Sequence, residues 1–101
     1  MSVVVFRRKE CPTCKKEAWL MRSIVEEEIR KGNLGKDVLA CTRIELCAII
    51  DARRPAIVGG RVPGARILHD VCTECGEECI TFIETGHITL STDPRLPPTF
   101  A

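Results

Sequence analysis

Aromatic side chains are scarce in this 101-residue chain, which has no tyrosine, one tryptophan and three phenylalanines. Single-stranded nucleic acid is held largely by stacking bases on aromatic rings, so a dedicated single-strand binder is not expected. Long apolar runs are missing too. The longest, VVVF, AWLM and CAII, fall far short of the roughly 20 residues that cross a bilayer, and the first residues carry no signal-peptide hydrophobic stretch. The expected location is therefore the cytoplasm, or the inside of a particle assembled in a cell, with no membrane partner. Net charge is only +1, unlike a chain devoted to nucleic acid. There is no glycine-rich phosphate loop, no metalloprotease helix and no nucleophile–base pair. Asp51, Asp70 and Asp93 stand singly. A non-enzyme is expected.

What the chain has in excess is cysteine, seven in 101 residues. The count is odd and no export signal accompanies it, which argues for metal binding or thiol chemistry over a disulfide framework. Four of the seven form CxxC pairs: Cys11 and Cys14 in KECPTCKKE, Cys72 and Cys75 in VCTECGEEC. Tetrahedral zinc needs four such ligands converging on one point, and two turns supply two thiolates each. Backbone N–H groups within each turn would offset the charge on sulfur, as would Lys9, Lys15 and Lys16. Gly76 suits a left-handed position closing the second turn; Lys15 holds the equivalent place in the first.

Read along the chain, Ser2–Phe6 is a β-branched first strand. Residues Lys15–Lys31 place Ala18, Met21, Val25 and Ile29 on one helical face, with Glu26–Arg30 and Glu27–Lys31 pairs opposite and a stop at Gly32-Asn33. Val38–Ile50 alternates with a period of two, predicting one half-buried strand or two with a bulge. Residues 52–66 read as loop, with Pro63-Gly64 among the turn signals. RILHDV and CITFIET are strands, Gly86 a turn, and HITLS a last strand. The architecture expected is α+β: a small antiparallel sheet with one main helix. Residues 1–92 form a single zinc-binding domain, and 93–101 an extended proline-rich tail with little to pair with.

CPTC and CTECG, each preceded by a strand, resemble the knuckles of a four-cysteine zinc ribbon. The resemblance implies one structural Zn²⁺ per chain, held by Cys11, Cys14, Cys72 and Cys75, tying the N-terminal strand to the C-terminal hairpin. The 57 residues between the pairs depart from it, because ribbons commonly separate their knuckles by fewer. The first pair alone supports another reading. VVVFRRKECPTCKKEAWLM also looks like the opening of a glutaredoxin or thioredoxin-like fold, which implies thiol–disulfide exchange with Cys11 as nucleophile and Cys14 as resolving thiol. Val62-Pro63 stands roughly where that family places its cis-proline loop; its closing helix is missing, and the second CxxC would go unexplained. CTECGEEC has C-x2-C-x3-C spacing but no full iron–sulfur motif.

The remaining groups take plainer roles. Cys41 and Cys47 read as buried thiols packed like small hydrophobes, Cys79 as strand packing, His69 as a surface or strand histidine, and His87 has no partner motif. Trp19 is expected in the core, with an outward-facing anchor as the other possibility. Charge is uneven: residues 1–66 carry 14 basic and 8 acidic side chains (+6), residues 67–101 carry 1 and 6 (−5). A protein partner or larger assembly is expected, engaged through this polarity or the LPPTF segment. Nucleic acid is the other partner, through Arg7, Arg8, Lys9, Arg53 and Arg54, with Arg61 and Arg66 also available for phosphate.

Overall fold

The computed structural model describes residues 2–49, 53, 60–90 and 95–100. It contains strands β1 (Val3–Arg7), β2 (Arg43–Ala48), β3 (Arg61–Val71), β4 (Glu78–Thr89) and β5 (Thr99–Phe100), and helix α1 (Leu20–Arg30). The fold is α+β. All strand pairs are antiparallel, in the order β1-β4-β3-β2. Ile88 pairs with Val62 on one side and Phe100 on the other, so β5 follows β1 along the same edge of β4.

The strand register sorts the side chains between two faces. Leu68, Asp70, Phe82 and Ile88 are buried toward the helix side, and Val25, Ile29, Leu68 and Phe82 line a common cleft there. His69 is the one buried side chain of β3 on the opposite face, where its Nε2 lies 2.6 Å from Oε1 of Glu45. A bulge at Thr81 reverses the alternation of β4 just before the cysteines, since Leu68 pairs with Phe82 but His69 with Ile80. That offset carries Cys79 to the end of the sheet where the other thiols lie.

Several sequence expectations need correction. The helix begins at Leu20, not Lys15, because the backbone of residues 11–16 is taken up by the first cysteine turn and Trp19 is extended, bridging to Cys72. Its surface ion pairs run Glu27–Arg30 and Glu28–Lys31, at i,i+3. The helix does end at Gly32, at φ +82. The alternating stretch 38–50 becomes strand only over Arg43–Ala48, with Ile50 outside the described residues. Gly86 does not turn the chain: 79–89 is continuous strand. Pro63-Gly64 likewise lies inside β3. The Pro63 carbonyl accepts from Ile49 N–H at 2.8 Å, so its missing N–H points to the same side, just beyond the last residue of β2. The end of the tail pairs after all, as β5, and Arg66 sits over the Phe100 ring at 4.9 Å. The boundary between 92 and 93 falls outside the described residues.

The two glycines that look like turn signals serve close packing instead. Gly64 and Gly86 are directly paired. A Cβ on Gly64 would meet the Cys47 carbonyl oxygen at 2.4 Å and Ile88 Cδ1 at 2.6 Å. Because the first obstacle is backbone, Gly64→Ala is expected to cost about 2 kcal/mol, as overpacking does. A urea titration would check this; an unchanged midpoint would mean β2 and β3 can separate freely here.

Candidate metal centre

The two CxxC turns have the same backbone design. In the first, Cys11 N–H donates to Lys16 O at 3.0 Å and Lys15 N–H to Cys11 O at 2.9 Å. In the second, Cys72 N–H donates to Glu77 O at 2.9 Å and Gly76 N–H to Cys72 O at 2.7 Å. Each needs a left-handed residue directly after its second cysteine: Lys15 at φ +63 and Gly76 at φ +76. Glycine adopts this without strain and lysine at a modest cost. The turns are joined by Thr13 Oγ1 donating to Glu77 Oε2 at 2.8 Å, and by the Lys16–Glu74 ion pair at 3.6 Å.

This arrangement brings together the four cysteines expected from the sequence. The Sγ atoms of Cys11, Cys14, Cys72 and Cys75 all lie within 4.8 Å of one another. Cys11–Cys75 and Cys14–Cys72 are each 3.5 Å apart. Four sulfurs about 2.3 Å from one tetrahedral ion stand roughly 3.8 Å from each other, so the donor set fits a metal by type, number and spacing.

The electrostatics prepare one thiolate. The Cys14 backbone N–H is the chief influence drawing the Cys11 thiol down to about 6, against its burial and with help from Thr13 N–H and the Cys75 thiol. At Cys75, Glu77 N–H favours the thiolate, but burial and the Cys11 and Cys72 sulfurs push it up to about 12. Cys14 is also raised, with Lys16 N–H outweighed by burial and its sulfur neighbours. A cation held by all four must therefore displace at least the protons of Cys14 and Cys75, so loading weakens as pH falls.

Trp19 seals the cluster. It is 1% exposed, packs with Cys11 and Cys72, and donates its indole N–H to Lys9 O at 3.0 Å. It is thus a core residue and not an outward anchor. Ala18 O accepts from both the N–H (2.7 Å) and the hydroxyl (2.9 Å) of Thr73, locking the chain after the first turn onto the second.

Two contributors were not singled out in the sequence. Asp70, 1% exposed, caps α1 from across the sheet: Oδ1 accepts from Met21 N–H at 2.9 Å and Oδ2 from Arg22 N–H at 3.0 Å. The helix has no side-chain cap at Trp19, and that missing cap was the available signal. Cys79, expected only to pack in a strand, does so against the thiol cluster itself; burial and the Cys11 charge raise its pKa. The other thiols lie elsewhere. Cys47 is exposed and Cys41 half-buried, so neither is the buried small hydrophobe expected, since no helix covers the face that Cys47 shares with Glu45.

Among the basic groups, Arg7 lies over Phe82 at 5.5 Å and Arg8 over Phe6 at 5.0 Å, with Arg8 Nε donating to Ile80 O at 2.9 Å. Arg53 is exposed, and Arg54 lies outside the described residues. Pro63 stands at the far end of β3 from Cys72, roughly 30 Å away at ~3.4 Å per residue. No described helix is long and apolar enough to cross a membrane. No known family model matches the chain, and neither a curated protein nor a solved structure matches it.

Proposed function

We propose that this chain is a non-catalytic recognition or assembly module of zinc-ribbon type, stabilised by one structural zinc ion on Cys11, Cys14, Cys72 and Cys75. The observation that carries the reading is the convergence of four thiols from two like-built turns 57 residues apart in sequence. A four-thiolate zinc has no open position for substrate; what the ion supplies is folding free energy. The chain's own residues do the rest. Thr13, Glu77 and Thr73 clamp the turns together, and Trp19 keeps water from the sulfurs.

Recognition of protein is favoured by what the fold leaves uncovered. No residue of α1 is fully buried, and Leu20 and Ile24 are exposed on its outer side. Val3, Val4 and Val5 are about half exposed on an edge strand. The radius of gyration is 16.2 Å, against about 13 Å for a compact chain of this length. Nucleic-acid binding is the weaker alternative, because Arg7 and Arg8 are stacked on phenylalanines.

Thiol–disulfide exchange is favoured by one observation, the lowered pKa of Cys11. Against it, Cys11 is fully buried, whereas attacking thiolates are partly exposed.

Metal analysis of protein purified without added metal, with a count of alkylated thiols, tests the proposal. One zinc per chain is expected, with these four cysteines protected until a chelator is added. Iron would change the ion but not the structural role, since tetrahedral four-sulfur sites take either. No metal, with Cys11 alkylated rapidly at neutral pH, would replace the proposal by redox chemistry.

A further inference from the structure

Helix α1 is fastened to the sheet at its N-terminus, through Asp70. Further along, Val25 and Ile29 remain only half-buried. Between them and the sheet residues Leu68 and Phe82 lies a cleft of about 500 Å³, walled on its other side by Val38–Ala40. This falls in the range of roughly 300–1,000 Å³ typical of small-molecule sites, which combine an apolar lining with a few polar groups. The polar groups here come from Arg7, Arg8, Lys9 and Arg22 on one side of the account and Glu17 and Glu26 on the other, a net +2.

The cations differ in how far they are already engaged. Arg8 donates to Ile80 O, and Arg22 donates to Arg8 O at 3.0 Å. Arg7 and Lys9 have no carboxylate partner among the described residues. An anionic head is therefore matched to this rim, while two acidic neighbours disfavour a polyanion. The body of the ligand is constrained by the floor. Leu68 and Phe82 belong to strands whose backbones are paired with each other. A polypeptide laid against them would find no partners for its own N–H and C=O groups, whereas an aliphatic chain needs none.

We propose that this cleft binds a single-chain amphiphilic anion. Its aliphatic body lies against Val25, Ile29, Leu68 and Phe82, and its carboxylate or phosphate head sits at the rim formed by Arg7, Lys9 and Arg22. The inference does not depend on which metal the cysteines hold.

Calorimetric titration of the full, metal-containing chain with decanoate, decyl phosphate and decanol, each below its aggregation concentration, tests it. Saturable binding of one molecule per chain is expected for at least one of the two anions. The stronger of them identifies the head group. The double variant Arg7→Gln/Lys9→Gln is expected to weaken the anions about tenfold, the sum of two partly exposed charge contacts, and to leave decanol unchanged. Ile29→Trp, which fills the cleft, is expected to abolish binding of all three. Metal content measured on every variant separates loss of the cleft from loss of the fold. Failure of both anions to saturate would overturn the proposal, as would equal weakening of decanol by the double variant. Binding of an acidic apolar peptide where the decyl compounds fail would also overturn it, assigning the cleft to a protein partner.

Discussion

Replacing Cys72 by serine is expected to unfold this protein. Cys72 is wholly buried, its backbone makes both hydrogen bonds of the second turn, and it bridges to Trp19. Its Sγ is 3.5 Å from that of Cys14. A serine hydroxyl keeps the backbone contacts but removes a thiolate from a site that needs four. Structural zinc in comparable sites supplies about 10–16 kcal/mol, whereas whole domains are stable by only about 5–15 kcal/mol. Losing even half of the metal's contribution exceeds the margin. The expected result is a chain purified without metal, lacking a cooperative urea transition. Cys41→Ser and Cys47→Ser, outside the cluster, are the controls and should keep one metal per chain with stability within about 0.5 kcal/mol. A Cys72→Ser protein that retained equimolar metal and melted cooperatively would show that the fourth thiol is dispensable.

The second large effect is expected at Asp70. Its carboxylate accepts three backbone N–H groups, those of Met21, Arg22 and Val71. Two of these belong to the first turn of a helix with no cap of its own. Ionised groups accept stronger bonds than neutral ones, and the positive end of the helix adds to the attraction. Asp70→Ala leaves these donors without their partner in a site 1% exposed to solvent, at an expected cost of about 3 kcal/mol. Asp70→Asn should cost less, about 2 kcal/mol, because one oxygen remains and the amide N–H₂ meets a donor. Amide exchange gives the more specific readout: α1 should lose protection while β3 and β4 keep theirs. Equal loss across helix and sheet would mean that Asp70 supports the fold at large and not the docking of α1.

Which features the sequence revealed follows from how locally each is encoded. A CxxC turn is written within six residues, so Cys11, Cys14, Cys72, Cys75 and the left-handed places of Lys15 and Gly76 were all legible. The start of α1 was not. The apolar spacing of Ala18 and Met21 continues the helical period backwards, but the pairing of Trp19 with Cys72 lies 53 residues away. Gly64 and Gly86 misled for a similar reason. Glycine marks a turn when the neighbouring residues bend, and a close approach when a distant side chain needs the space, here Ile88. Asp70 was invisible as a cap because its donors come from 48 and 49 residues upstream. Cys47 was misplaced because alternation shows which residues share a face but not whether anything covers it.

The pairing of Val3 with Thr85 also governs when this protein can fold. Those residues are 82 apart in the chain, and the two cysteine turns are separated by nearly as much. During synthesis at about 5–20 residues per second, the first strand and its two thiols therefore wait roughly 4–16 s for their partners. Throughout that interval an apolar VVVF segment and a free dithiol are available to other molecules. Topologies dominated by such distant contacts fold slowly even after release. The newborn chain thus meets its greatest hazard, oxidation or mispairing of Cys11 and Cys14, before the second turn exists to shield them.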